Sequence, residues 1–289
     1  MRSLRPSSIV VYESVKKHIL IYVDNDILIS KIDAKYLQKF FNQLDYSDQY
    51  VSTFKSTLGL LFKYAYQMEY IDKNPLDSVV LVKKAKTLAD IQRIENKFLE
   101  KEEVEILLTK LYRRPSTYRT ARLAEFMYLT GMRFGEAVIL RKDDFDLSGR
   151  LVSITGTLDK TNGYKKSKKG PTKTAKSNRK LSLTKRTIEL VERSVGENHL
   201  VRVDSKKYLK GNYIFVTKSG TPMQNNAFNI ASHIFRHSHI SLLSEKGIPI
   251  KAIMGRVGHE DADITNRIYT HVTSSMKTNI IEQLEASGL

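Results

Sequence analysis

Residues 47–70 read SDQYVSTFKSTLGLLFKYAYQMEY, and the spacing within them decides how the N-terminal part of the chain folds. Val51, Phe54, Leu58, Leu61, Phe62 and Ala65 recur at intervals of three and four, which gathers them on one face of a helix and makes that face core. Lys55 and Lys63 fall between these positions and point outward, where they can meet phosphate. Ser47 is a candidate N-cap, with Asp48 as an acid in the positively polarised first turn. Asn74-Pro75 ends the segment, because proline lacks a backbone donor and disfavours helix in the residue before it. Upstream, residues 8–23 and 33–44 carry two more amphipathic patterns. A small all-helical bundle is expected.

Downstream, residues 85–97 are charged and poor in apolar periodicity, so they read as a linker between a helical domain over 1–84 and a larger domain over 98–289. A helix starts near Leu99, with Val104, Leu107, Leu108 and Leu111 on one face. Leu123, Phe126, Met127 and Thr130 form another stripe, which Gly131 terminates as a left-handed C-cap. Alternation over 151–158 and 180–184 predicts two strands, and 213–217 a third. Helical patterning resumes after Asn225 and runs to the end. The expected fold is mainly α with a small antiparallel sheet, an α+β architecture, and the sequence holds no internal repeat.

The 289 residues include 48 Lys and Arg against 31 Asp and Glu, a net charge of +17. A one-signed field of that size opposes compaction and attracts polyanions, so nucleic acid is the leading partner, ahead of anionic lipid or a merely solubilising surface. Residues 160–180 concentrate the charge, with nine basic residues and no acidic one. If they join two antiparallel strands, they form a long, flexible, positive loop able to lie in a nucleic-acid groove; a solvated loop without that role fits equally well. The absence of cysteine excludes disulfides, thiolate catalysis and cysteine-ligated metals. Apolar runs such as 19–23 and 58–62 fall far short of the ~18 residues of a membrane span. Arg2 and Arg5 are followed by Pro6 and two serines rather than by the apolar core of a signal peptide, so a cytoplasmic protein with no membrane partner is expected.

Several short signals carry chemistry together. Residues 130–136, TGMRFGE, place Arg133 just beyond a helix-ending glycine, where a side chain emerges at a fixed angle. In HIFRH, residues 233–237, His233 and Arg236 stand at i and i+3 on one side of a helix. VGH follows at 257–259, and Tyr269 lies ten residues beyond His259. Two guanidinium forks suit the non-bridging oxygens of a phosphodiester. A tyrosine hydroxyl can attack the phosphorus, but with an ordinary pKa near ~10 it needs a proton acceptor and a cationic surround. Histidine can take that proton, and a lysine of the basic loop can protonate the departing sugar oxygen. Such a site needs neither metal nor other cofactor, because arginine and histidine supply the positive charge.

TGMRFGE, HIFRH, VGH and the terminal RIYTHV, residues 267–272, closely resemble the tyrosine recombinases, the phage and mobile-element integrase family. Order and spacing match from about residue 98 to Val272, and the helical portion through Asn74-Pro75 resembles that family's core-binding domain. The resemblance implies a core-binding domain and a catalytic domain that enclose DNA as a C-shaped clamp. It implies that Arg133 and Arg236 bind the scissile phosphate and that His233 acts in acid-base exchange with the nucleophile. His259 would donate to a phosphate oxygen, and Tyr269 would form a 3′-phosphotyrosyl bond. The family's catalytic lysine lies in a strand-to-strand turn, and Thr172-Lys173-Thr174 matches it best, with Lys169 and Lys176 as rivals. Glu136 would support Arg133, and His237 would be a structural hydrogen-bonder. His239 stands where a small or apolar residue is expected, and His271 is non-catalytic. Val257 replaces the leucine often found there, a modest change in packing volume.

The implied activity is site-specific recombination that integrates or excises a phage or other mobile element, without ATP because the phosphotyrosyl link conserves the energy of the broken bond. The partners would be double-stranded DNA attachment sites, an accessory or directionality factor and, on DNA, three more copies of the chain. Residues 276–286 carry Ile280, Ile281 and Leu284 in helical phase and would dock on a neighbouring protomer. The setting would be the nucleoid of a bacterial host. Only about seven residues precede the first helix, so an N-terminal arm-binding domain is expected to be either removed or never part of the protein. The alternatives are a type IB topoisomerase, which relaxes DNA without synapsis, and a DNA-binding protein of the same fold that has lost its chemistry.

Overall fold

The computed structural model describes residues 6–23, 26–82, 98–161, 163, 166–172, 177–204, 208–209, 211–228, 232–258, 265–270 and 272. The chain divides into two compact units, Met1–Asp90 and Ile91–Leu289. The segment read as a linker, 85–97, lies outside the described residues.

The first unit is helical: α1 (Pro6–Tyr22), α2 (Ala34–Gln43) and α3 (Asp48–Gln67). Side-chain caps set two of the starts. The Tyr36 amide donates to Asp33 Oδ1 at 2.7 Å, and the Tyr50 amide donates to Ser47 Oγ at 3.3 Å. The core gathers Val15, Leu37, Phe40, Phe41, Phe54, Leu58 and Phe62, closed by Leu76 and Val79. Within the α3 stripe, Phe54, Leu58, Phe62 and Ala65 are buried, but Leu61 is 50% exposed. It lies at the margin of the apolar arc, one position from Phe62. Lys63 is exposed as expected, whereas Lys55 is not turned to solvent, because its Nζ donates to the Val79 carbonyl at 2.6 Å. The helix also stops before Asn74-Pro75. Glu69 adopts a left-handed φ of 58°, and the Glu69 and Tyr70 amides return to the Tyr66 and Ala65 carbonyls in a Schellman closure. Asn74 instead caps a 3-10 turn over Pro75–Ser78.

In the second unit, α4 (Lys101–Tyr112) is capped by Glu100, whose amide donates to Glu103 Oε2 at 2.9 Å. The central helix α5 (Tyr118–Thr130) buries Leu123, Ala124, Phe126 and Met127 and ends at Gly131, φ 67°. A single turn, α6 (Phe134–Ala137), follows directly. The strand predicted over 151–158 is two strands. β2 (Leu151–Ile154) lies antiparallel between β1 (Phe145–Asp146) and β5 (Arg179–Ser182), with Val152 opposite Leu181. β3 (Thr157–Asp159) pairs antiparallel with β4 (Lys168–Gly170) in a separate two-stranded sheet. The chain breaks between β2 and β3 at Gly156, where a Cβ would stand 2.7 Å from the Gly170 carbonyl. The basic segment therefore contains a strand, not a loop alone.

Residues 213–217 build no strand. They make only the isolated bridges Arg141 to Tyr213 and Val216 to Pro222, and the apolar run serves burial of Ile214, Phe215 and Val216. Among the described residues the further α-helices are α7 (Lys185–Asp204), α8 (His233–Glu245) and α9 (Ile250–Val257), with residues 265–270 also helical. One core joins Leu123, Phe126 and Met127 to Met132, Val152, Leu181 and Phe235. A second, smaller one comprises Ile240, Ile253, Val257, Ile268 and Val272. Among the described residues, no helix is long and apolar enough to cross a membrane.

Candidate active site

The end of α5 builds the site. Gly131 takes the left-handed conformation, and a Cβ there would fall 2.5 Å from His239 Cδ2, so only glycine lets α8 approach this closely. Two residues later Arg133 is extended, φ −67° and ψ 147°, at the start of α6. Its amide donates to Glu136 Oε2 at 3.1 Å, its Nη1 to Glu136 Oε1 at 2.9 Å and its Nη2 to the Gly258 carbonyl at 2.9 Å. The turn after α5 and the turn after α9 are thereby tied together by one side chain. Gly258 is left-handed as well, φ 68°.

Arg236 comes from α8 and is 1% exposed; its Nη1 donates to the Gly131 carbonyl at 2.7 Å. Burial, and next the positive charge of Arg133, push its pKa down to about 9, which still leaves it charged at neutral pH. Glu136, 3% exposed, is shared by Arg133 and Arg179. Burial alone would raise its carboxyl, but the hydrogen bond and charge of Arg179, and then those of Arg133, outweigh burial and hold it below the usual carboxylate range. Arg133 and Arg179 share one carboxylate, and Arg236 lies within range of all three charges, so positive charge is in excess here, which suits a phosphodiester.

His239 is buried behind this group and accepts from Arg256 Nε at 3.1 Å. Burial, and next the charge of Arg256, push its pKa down to about 3, so it is a neutral acceptor at physiological pH. This explains why a polar ring occupies a position expected to be small or apolar. His233 lies exposed on the first turn of α8, its ring 6.3 Å from that of His237. Tyr269, on the helical residues 265–270, is half-buried against the small cluster of Ile240, Ile253 and Val257. Val257 also borders Gly131, its Cγ1 3.0 Å from where a Cβ would stand, so the cluster carrying Tyr269 adjoins the turn that carries Arg133.

Lys173, Lys176, His259 and His271, and the tail 276–286, lie outside the described residues. Lys169 is described, and it is engaged elsewhere, in an ion pair with Asp144 at 2.6 Å. Two residues here escaped the sequence reading. Arg179 counted only as one of nine basic residues, and Arg256 was not singled out. The signal for Arg179 was its parity in β5: it shares a face with Leu181, which is buried, and an inward-facing charge calls for a partner.

Residues 97–276 match the family model described as "Phage integrase family", and residues 1–86 match "Phage integrase SAM-like domain". The chain is 44% identical over 301 residues to the prophage ps2 probable integrase of Lactococcus lactis subsp. lactis (strain IL1403), an alignment covering 98% of this chain and 79% of that one. It is 34% identical to the integrase of Staphylococcus phage L54a, covering 90% and 81%. Among solved structures, the Tn1549 transposon integrase in complex with transposon right end DNA superposes with a TM-score of 0.75 at 18% identity, covering 98% of this chain and 95% of that one. A lambda integrase dimer bound to a COC′ core site gives 0.63 at 15% identity, covering 93% and 90%. At such identities the likeness speaks for the fold.

Proposed function

This chain belongs to the phage integrase family and is a tyrosine recombinase, an enzyme of site-specific DNA recombination, and from that premise we propose how its own residues divide the work. The Tyr269 oxygen attacks the scissile phosphorus. A P–O bond to tyrosine forms as the bond to the 5′ oxygen breaks, leaving a 3′-phosphotyrosyl link. The phenolic proton passes to His233, and the departing 5′ oxygen takes a proton from Lys173. Arg133 and Arg236 bind the non-bridging oxygens, and His259 donates to one of them. A 5′-hydroxyl from a second duplex then reverses the step on a new partner. Four active sites are needed to cut two strands on each of two duplexes, so the working form is a tetramer on attachment-site DNA in a bacterial host, with a directionality factor as a further partner.

The observation that carries this reading is the hydrogen bond from Arg236 to the Gly131 carbonyl, two residues before Arg133. It brings TGMRFGE and HIFRH, remote in sequence, to one turn. The engaged state of Lys169 supports Lys173 or Lys176 as the proton donor.

The test is a nicked attachment-site duplex that traps the cleaved state. The natural chain should form a denaturant-resistant protein–DNA adduct and Tyr269→Phe none, with duplex binding retained. An adduct that persists in Tyr269→Phe, or none with the natural chain on its own site, would overturn the assignment.

A further inference from the structure

Arg179 is largely enclosed among the charged groups of the site, yet the cleavage step proposed above does not use it. Its side chain is 8% exposed, and its donors run in three directions. Nη2 donates to Glu136 Oε2 at 2.9 Å, with Nη1 facing Oε1 at 3.4 Å. Nε donates to the Arg256 carbonyl at 2.9 Å, and Nη1 to the Ser177 carbonyl at 3.2 Å. Each acceptor belongs to a different segment of the site. Glu136 holds Arg133, Arg256 lies two residues before Gly258, and Ser177 directly follows the 173–176 stretch that carries the candidate catalytic lysines.

We propose that Arg179 is a positioning residue that locks these three segments together, so that Arg133, the turn from Arg256 to Gly258 and Ser177 hold their places at once. This deepens the reading of Arg133 as a phosphate ligand and rests on it. The shape of the side chain explains the choice. A guanidinium presents five N–H donors in a rigid planar fork, whereas an ammonium offers its donors from one atom and cannot span a carboxylate and two carbonyls that lie apart. The packing agrees. A Cβ on Gly258 would stand 2.8 Å from Arg179 Nη1, so the glycine of VGH is required by this guanidinium as well as by its own left-handed φ of 68°. Arg179 sits at the first position of β5, opposite Ile154 of β2, so the sheet itself fixes the base of the lock.

The experiment uses the full chain on the trapping substrate, with three readouts: single-turnover adduct formation, duplex Kd and the unfolding midpoint. Arg179→Lys keeps the charge and should fold; adduct formation should slow at least tenfold while Kd moves less than threefold. Arg179→Met should slow it about a hundredfold. The decisive comparison is the cycle with Arg133→Ala. If Arg179 acts through Arg133, Arg179→Met costs much less in the Arg133→Ala background than alone, whereas a residue that serves only general stability gives losses that multiply. Multiplying losses, a natural rate in Arg179→Lys, or Kd weakened in parallel with cleavage would each overturn the proposal. Failure of the underlying reading shows separately, as adduct formation at the natural rate in Arg133→Ala in the same assay.

Discussion

Arg236 Nη1 and the carbonyl oxygen of Gly131 stand 2.7 Å apart across 105 positions of sequence, and the left-handed glycine that offers this carbonyl also leaves room for the ring of His239. One residue thus serves three requirements: it ends α5, receives an arginine and admits α8. Substituting it disturbs all three.

Gly131→Ala should therefore cost about 2 kcal/mol or more, combining the left-handed backbone with the overlap on His239. Denaturant unfolding of the full chain measures it. A loss below about 0.5 kcal/mol, the range of an ordinary surface change, would show that the helix end is not so confined.

Glu136→Gln leaves two buried or half-buried guanidiniums without their carboxylate and should lower stability at pH 7 by about 3 kcal/mol. For a unit of this size that is a drop in Tm of about 6–12 °C. The sign of the pH dependence follows from the lowered carboxyl. Its stabilisation is complete above the unfolded value near ~4.3 and is lost as pH falls through the lower folded value, so the gap between natural and variant chains narrows in acid. Thermal melts at pH 7 and near pH 3.5 that show one constant gap would contradict this.

His239 gives a different window. Its folded pKa of about 3 lies below the unfolded value near ~6.5, so between the two the unfolded chain binds a proton that the folded chain refuses. The stability due to neutral His239 is complete above about pH 6.5 and drains away toward pH 3, by up to ~1.4 kcal/mol per pH unit. His239→Gln, which keeps a hydrogen-bonding group but cannot titrate, should flatten urea midpoints between pH 6.5 and 4. Identical slopes for the two chains would remove His239 as their source.

Duplex binding should fall steeply with salt, since a +17 chain releases condensed counterions when it covers phosphates. Between roughly 50 and 200 mM, a loss of about a thousandfold or more in Kd is expected for six or more phosphate contacts. A flat titration would mean that charge is not the basis of the footprint.

Deleting residues 276–289 should leave adduct formation on a single site detectable while weakening synapsis of two sites. Unimpaired recombination by the shortened chain would dismiss an exchange of C-terminal helices.

The helical patterns were legible because burial imposes a period: α3 and α5 follow from Phe54, Leu58 and Phe62, and from Leu123, Phe126 and Met127. The Gly131 cap was legible because few other residues tolerate its conformation. The closure at Glu69 was not, since a non-glycine residue accepts a strained φ there and leaves no compositional mark. Nor was the β3–β4 pair, because Lys168 and Lys169 read as solvated charge until Lys169 meets Asp144. The motifs drew attention to Arg133 and Arg236, whose segments meet at the Gly131 turn. Arg179 and Arg256 were hidden, because what distinguishes a buried arginine from a surface one is the set of carbonyls it meets, and those come from distant segments.

Both guanidiniums proposed to bind phosphate rest on a main-chain oxygen at the last turn of a helix, Arg236 on Gly131 after α5 and Arg133 on Gly258 after α9. A helix terminus of that polarity carries roughly half a negative charge spread over its unsatisfied carbonyls. It attracts a cation without neutralising it, as a full carboxylate would. The anchorage therefore orients Arg236 and leaves most of its attraction available to the anion that arrives with the DNA, whereas Arg133 also shares the Glu136 carboxylate with Arg179.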